Sequence, residues 1–241
     1  MNLSTLTWTE VESYLKTKNS LILPIGSTEQ HGPTGLLGTD HLCAEAVSAG
    51  VGAKLQMMVA PSVNYGMASH HMAFSGSATL RPSVYQAMLA DIFRSFYAHG
   101  FRRFYVVNGH GGNINSVGAV FQELKHEGMQ GASFALYNWW KLPEVEAVSK
   151  KYYGDKDGFH ATPTEVSLTF HLAGIDHRPF EETPQKGNAP WPMTAQEVRQ
   201  VFPTGAMKSD PGLARGEHGK VFLDLAVQSI ANAIQQAAVI E

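Results

Sequence analysis

The stretch Leu21-Ile22-Leu23-Pro24-Ile25-Gly26-Ser27-Thr28-Glu29-Gln30-His31-Gly32-Pro33 changes character in its middle. Its first five residues form a short apolar run of the kind found in strands buried on both faces, and the rest is a polar loop holding a carboxylate and an imidazole. With Glu29 to His31 extended, residues two apart project to the same side, so Glu29 and His31 face one point and Gln30 turns away. Thr39-Asp40-His41 closes the loop where the next helix, expected over 40–55, begins. Asp40 then has an ordinary role as helix N-cap and a chemical one, because the two oxygens of a carboxylate can bridge two metal ions.

Outward from this stretch the pattern alternates. Thr7-Trp8-Thr9-Glu10 has the form of a capping box, opening a helix that ends near Asn19. A second strand is expected over 57–63, with Pro61 limiting its ladder. Pro82 suits the first turn of a helix with the apolar stripe Tyr85, Leu89, Ile92, Phe93, Phe96 and Tyr97, closed by Gly100. Phe104-Tyr105-Val106-Val107 reads as a third strand, ending in Asn108-Gly109-His110-Gly111-Gly112-Asn113 before a helix to about Glu127. A fourth strand is expected over 133–137, a helix over 162–172, a Pro-rich stretch over 179–211 and a final amphipathic helix from about Val221. These features predict an α/β fold, a layered α/β sandwich with a largely parallel central sheet, in a single domain spanning 1–241. In such sheets ligands collect beyond the carboxyl ends of the strands.

Hydrophobic residues make up 44% and charged residues 16% of the 241, a globular and not a disordered composition. A net charge of -3, with Lys and Arg scattered, gives no positive field for a phosphate backbone and argues against nucleic acid. There is no membrane-length apolar run and no basic-then-apolar leader, so a cytoplasmic location is expected. A single cysteine, Cys43, excludes an intrachain disulfide and a thiolate-rich zinc site. It lies in an apolar-periodic stretch and is expected to be buried and inert. Any metal must therefore be held by histidine and carboxylate.

Three loops supply such groups. Glu29, His31 and Asp40 form the first. His110 stands between glycines that permit close approach of other groups, and imidazole suits first-row metals; the alternative, a phosphate-cradling glycine loop of a nucleotide-binding protein, lacks its lysine. His160-Ala161-Thr162-Pro163-Thr164-Glu165 enters a helix, where His160 and Glu165 can reach a site, or Thr162 and Glu165 can simply cap and charge the first turn. Trp139 and Trp140, just after a strand, can wall a pocket for a small planar ring or pack in the core. His70 and His71 sit in a loop from which substrate or a neighbouring subunit is within reach.

Residues 23–33, with Thr39-Asp40 and the Asn108 to Asn113 loop, closely resemble the creatininase (creatinine amidohydrolase) family. The resemblance continues through His71-Met72-Ala73-Phe74-Ser75-Gly76-Ser77, His160-Ala161 with Glu165, and Asp210-Pro211 to Glu217-His218-Gly219. It implies an α/β fold, a hexameric assembly, and a site for one or two divalent ions, zinc foremost, with manganese or iron also used in the family. By position Glu29 and His110 are implied as ligands of one ion, His31 of the other, and Asp40 as their bridge. His160 falls where the family has a catalytic, proton-shuttling histidine, and His71 at a position favoured for substrate contact.

One departure is plain. Where creatininases proper carry a glutamate ligand two residues after the histidine matching His110, this chain has Gly112, and Glu165 is the candidate replacement. The Gly-His-Gly-Gly-Asn form is similar to the branch with formamide hydrolases and the mycofactocin-type peptidase. The resemblance thus implies a metal-dependent amidohydrolase acting on the C–N bond of a small-molecule amide, cyclic or formamide. The alternatives are a mycofactocin-type peptidase and a catalytically silent metal-binding relative.

Overall fold

Side chains on the strands alternate between two apolar layers, and this alternation organises the molecule. A computed structural model describes residues 1–180 and 190–239. Four parallel strands, β1 (Ser20–Ile25), β2 (Met58–Val59), β3 (Arg103–Asn108) and β4 (Ser133–Asn138), form one sheet in the order β2-β1-β3-β4. Around it lie α1 (Trp8–Leu15), α2 (Thr39–Leu55), α3 (Pro82–Ala98), α4 (Ile114–His126), α5 (Pro143–Tyr153), α6 (Pro163–Ala173), α7 (Ala195–Val201) and α8 (Gly216–Val239). Leu21, Leu23, Ile25, Phe104 and Val106 face α3 and α4, where Tyr85, Leu89, Phe93, Val117 and Val120 are buried with them. Ile22, Tyr105 and Val107 face the opposite layer, built from Val47 and Val51 of α2, Val145 of α5, Leu168 of α6 and Phe222 and Ile230 of α8. The sandwich is the expected one, helices covering both faces of a parallel sheet.

Some bounds differ from expectation for clear reasons. The second strand is only Met58–Val59, with Val63 returning as an isolated bridge to Ile25, because Pro61 has no N–H to give the ladder. α8 starts at Gly216, earlier than the apolar periodicity suggests, since its opening turn carries two glycines and no apolar side chain. Within the Pro-rich stretch, residues 181–189 lie outside the described residues; after them Thr194 and Glu197 form a capping box for α7. Among the described residues no helix is long and apolar enough to cross a membrane.

The topology also sets where chemistry can occur. β1 and β3 pair from Ser20↔Arg103 to Ile25↔Asn108, so the loops leaving their carboxyl ends emerge side by side. The start of α2 crosses directly over them. A Cβ on Gly109 would overlap the backbone carbonyl of Asp40, so glycine there lets α2 approach the strand ends.

Candidate metal centre

Glu29, His31, Asp40 and His110 all lie above the ends of β1 and β3, each 5% exposed or less. Asp40 does not cap α2; the N-cap is Gly38, without a side-chain bond, and Asp40 stands in the first turn with its two oxygens aimed at different partners. Oδ1 is 3.0 Å from His31 Nε2 and Oδ2 is 3.1 Å from His110 Nδ1. Glu29 Oε1 is 3.2 Å from that same His110 Nδ1, and Glu165 Oε2, reaching in from the start of α6, is 3.9 Å from His31 Nε2. The donor atoms fall into overlapping sets, Glu29/Asp40/His110, His31/Asp40/Glu165 and Glu29/His31/His160, with all the atoms of each set within 4.8 Å of one another. Glu29, His31 and Asp40 each belong to two of these sets, and Asp40 faces its two histidines with different oxygens.

The tautomers show why a cation fits. His31 Nδ1–H donates to the carbonyl of Glu29 at 3.1 Å, and His110 Nε2–H donates to the carbonyl of Met67 at 3.0 Å. In each neutral ring the other nitrogen is then a lone pair turned toward carboxylate lone pairs, an arrangement that needs positive charge between them. Both oxygens of Glu29, Asp40 Oδ2 and His31 Nε2 are buried with no hydrogen bond. Without metal, protons supply the charge. Burial opposes protonation of His31, but Asp40 and then Glu165 and Glu29 overcome it and raise its pKa to about 10. Burial likewise disfavours charge on His110, yet Glu29 and Asp40 hold it well above the ordinary imidazole value. For Glu29 burial works upward and is outweighed by His110 and His71, leaving the carboxyl well below its usual range. Histidine and carboxylate donors of this kind suit zinc, manganese or iron.

Glu165 performs both roles open to it in the sequence. One oxygen accepts the Thr162 N–H at 2.6 Å in a capping box while the other faces His31. Burial, partly offset by His31 and reinforced by Asp40, pushes its carboxyl up to about 7. Gly112 offers no place for another ligand, since a Cβ there would overlap the Met67 carbonyl and the His110 ring.

His160 lies over the centre, with Nδ1 3.6 Å from Glu29 Oε1 and its ring 4.2 Å from that of His71 and 4.7 Å from that of His31. Burial and the neighbouring His71 and His31 drive its pKa well below the ordinary value, which keeps it neutral and able to accept a proton. His71, fully buried, places Nε2 3.2 Å from Glu29 Oε1. An open cleft of about 700 Å³ leads to the centre, lined by Asp40, His110, Trp140, Lys141, Phe159 and His160 among others. Trp140 stands on this wall, whereas Trp139 is 1% exposed within the apolar layer of α2 and α8, a packing position. A depression of about 750 Å³ beside Met1, Leu42 and Glu45 has none of the clustered groups, so size alone does not locate the chemistry. Cys43 is buried, its thiol pushed well up by burial and by Glu165 and Asp40, and its Sγ–H donates to the Glu165 carbonyl.

Other residues shape the site. Asn108 accepts the His110 N–H at 3.0 Å and donates to the His110 carbonyl at 2.8 Å, fixing the loop that presents the ring. Asn113 ties the same loop to the Gly26 carbonyl at 3.0 Å. Gln30, expected to turn away from the site, meets His71 and His160, two rings whose other nitrogens face Glu29. A glutamine set inside a run of buried residues is itself a signal, because its amide must find partners.

The family model for creatininase, described as creatinine amidohydrolase, matches residues 4–234. The chain belongs to the creatininase family. Among curated members, the creatinine amidohydrolase of Pseudomonas putida is 27% identical over 249 residues, covering 96% of this chain and 95% of its own. The mycofactocin precursor peptide peptidase of Mycobacterium tuberculosis is 31% identical over 220 residues, covering 85% and 80%. Solved creatininase structures superpose closely: a manganese form has a TM-score of 0.81 at 25% identity, covering 98% of both chains. A mutant of Zn–Zn type has a TM-score of 0.80 at 25% identity, covering 98% of this chain and 97% of the other. Membership makes the chain a creatininase-family hydrolase with a candidate metal site in the family fold.

Proposed function

We propose that this protein is a metal-dependent amidohydrolase that hydrolyses the C–N bond of a small cyclic amide or formamide. The observation that carries the reading is Asp40, whose two oxygens face two separate histidines within a buried carboxylate–imidazole cluster. Glu29, Asp40 and His110 would hold one divalent ion and His31, Asp40 and Glu165 a second, zinc foremost, with manganese or iron as alternatives. Such ions supply Lewis acidity, polarising a carbonyl and acidifying a water molecule. His160 is the catalytic residue. Neutral, with Nδ1 toward the centre, it takes the proton of the attacking water and passes it to the leaving nitrogen. His71 contacts Glu29 and lies beneath His160, closing the site on that side, and Trp140 offers a flat apolar wall for the substrate. A hexameric assembly belongs to the same proposal and is read by light scattering.

A second reading, a peptidase, is favoured by the relatedness to the mycofactocin peptidases and by a cleft that runs on past the centre to Lys141, Glu146 and Lys150. The test is turnover by zinc- and manganese-loaded protein on creatinine, formamides and short peptides. Hydrolysis within the first two groups supports the amidohydrolase and hydrolysis of peptides alone supports the peptidase. His160→Ala is expected to lower turnover by roughly 10²–10⁴-fold with metal content unchanged; loss of metal would reassign His160 as a ligand.

A further inference from the structure

Gln30, set between two candidate ligands, meets two of the histidines of the site. It is 5% exposed. Its backbone N–H donates to Ser77 Oγ at 3.0 Å, and its side-chain oxygen accepts the Gly32 N–H at 2.8 Å, which fixes which end of the amide carries the nitrogen. That nitrogen has three polar neighbours: His160 Nε2 at 2.9 Å, His71 Nδ1 at 3.0 Å and the Gly205 carbonyl at 3.1 Å. The loop carrying Gly205 is packed so tightly on this amide that a Cβ there would overlap the Gln30 side-chain oxygen.

An amide nitrogen has two hydrogens for these three neighbours, and the backbone decides between them. His160 Nε2 is also 2.8 Å from the Gln30 carbonyl oxygen, which can only accept. The hydrogen of the His160 ring therefore sits on Nε2, which cannot also accept from the amide. Both amide hydrogens are left for His71 Nδ1 and the Gly205 carbonyl. His71 Nδ1 is then an acceptor, so its own hydrogen sits on Nε2, the nitrogen facing Glu29 Oε1.

We infer that Gln30 is a positioning residue: through its carbonyl and its amide it sets the Nε2–H tautomer on two stacked histidines that turn different nitrogens to the centre, so that His160 presents a lone pair there and His71 presents an N–H. The two roles are complementary. His160 Nδ1 is free to receive a proton, and the His71 N–H stands 3.2 Å from Glu29 Oε1 without competing for metal. The catalytic consequence rests on the amidohydrolase reading above; the tautomers do not.

The test is ring ¹⁵N spectroscopy of zinc-loaded, histidine-labelled protein at about pH 8, assigned with His71 and His160 variants, where neutral imidazole tautomers are distinct. In the wild type both His71 and His160 are expected to carry hydrogen on Nε2. Gln30→Glu keeps the shape but cannot donate, so His71 is expected to move its hydrogen to Nδ1. Gln30→Met, which does neither, is expected to give a mixture at His71. Zinc content should be unchanged, and kcat on the best panel substrate should fall about 10-fold or more with KM altered less than about 3-fold. A wild-type His71 with hydrogen on Nδ1, or a Gln30→Glu protein whose His71 stays on Nε2, overturns the inference, and the wild-type spectrum gives that answer even if both variants fail to fold. A tautomer switch in a protein that hydrolyses nothing on the panel would support the inference and sink the proposed function instead.

Discussion

The helices α1 and α6 open on the same local device, Thr7-Trp8-Thr9-Glu10 in one and Thr162-Pro163-Thr164-Glu165 in the other. In both, the threonine oxygen takes the glutamate N–H and the glutamate returns to the threonine N–H, at 2.7 Å for Glu10 and 2.6 Å for Glu165. Their settings differ. Glu10 is exposed, and the Thr7 N–H and hydroxyl draw its carboxyl below the ordinary value. Glu165 is inside, where burial pushes the carboxyl up despite His31, and its second oxygen turns to His31 in the candidate metal site. A capping box satisfies two N–H groups and uses one carboxylate oxygen; whether the remaining oxygen meets water or an ion depends on where the helix is delivered.

The sharpest way to break this comparison is to remove charge from each carboxylate while leaving an oxygen for the cap. Glu165→Gln is expected to bind about one equivalent of metal in place of two and to lose on the order of 10²-fold in turnover, whereas Glu10→Gln should match the parent within about twofold in both. Metal analysis by mass spectrometry alongside kinetics decides it. A Glu165→Gln protein with full metal would take Glu165 out of the ligand set and leave it as a cap. A smaller effect is expected at the threonines. Thr7→Ala and Thr162→Ala should each cost about 1 kcal/mol in denaturant unfolding, but only Thr162→Ala, which frees Glu165 to wander, should weaken metal affinity, by about 10-fold. Equal metal affinities in the two variants would mean that the cap does not aim Glu165. The smallest effect is at Cys43, whose thiol meets the Glu165 carbonyl within the core. Native protein should resist alkylation until it unfolds, and Cys43→Ala should leave turnover within about twofold.

The fold is largely legible in the sequence, because strand alternation and helical stripes follow from the residues themselves. Leu21, Leu23 and Ile25 on one side and Ile22 on the other report both faces of β1. The stripe from Tyr85 to Phe96 reports the buried side of α3. The bounds that slipped are those where apolar patterning carries no signal, as at Gly216 to Gly219, or where one proline truncates a ladder, as at Pro61. The site was legible in part. Glu29, His31, Asp40, His110 and Glu165 converge as their residue types suggested, and His160 sits above them. Trp139 went to the core and Trp140 to the cleft, a division that no composition argument could make for two adjacent tryptophans. The tasks of Gln30, Asn108 and Asn113 stayed hidden because each is defined by a partner from another loop.

Periodicity and side-chain chemistry were enough for the layered architecture, the membership in the creatininase family and the donor types of the candidate metal site. The three-dimensional arrangement alone shows that Asp40 faces two histidines instead of capping, that Glu165 both caps and faces His31, that Gly112 leaves no room for a ligand and that the Gln30 amide meets two histidines. Each of these turns on distances of a few ångströms between groups far apart in the chain, which local patterns do not encode.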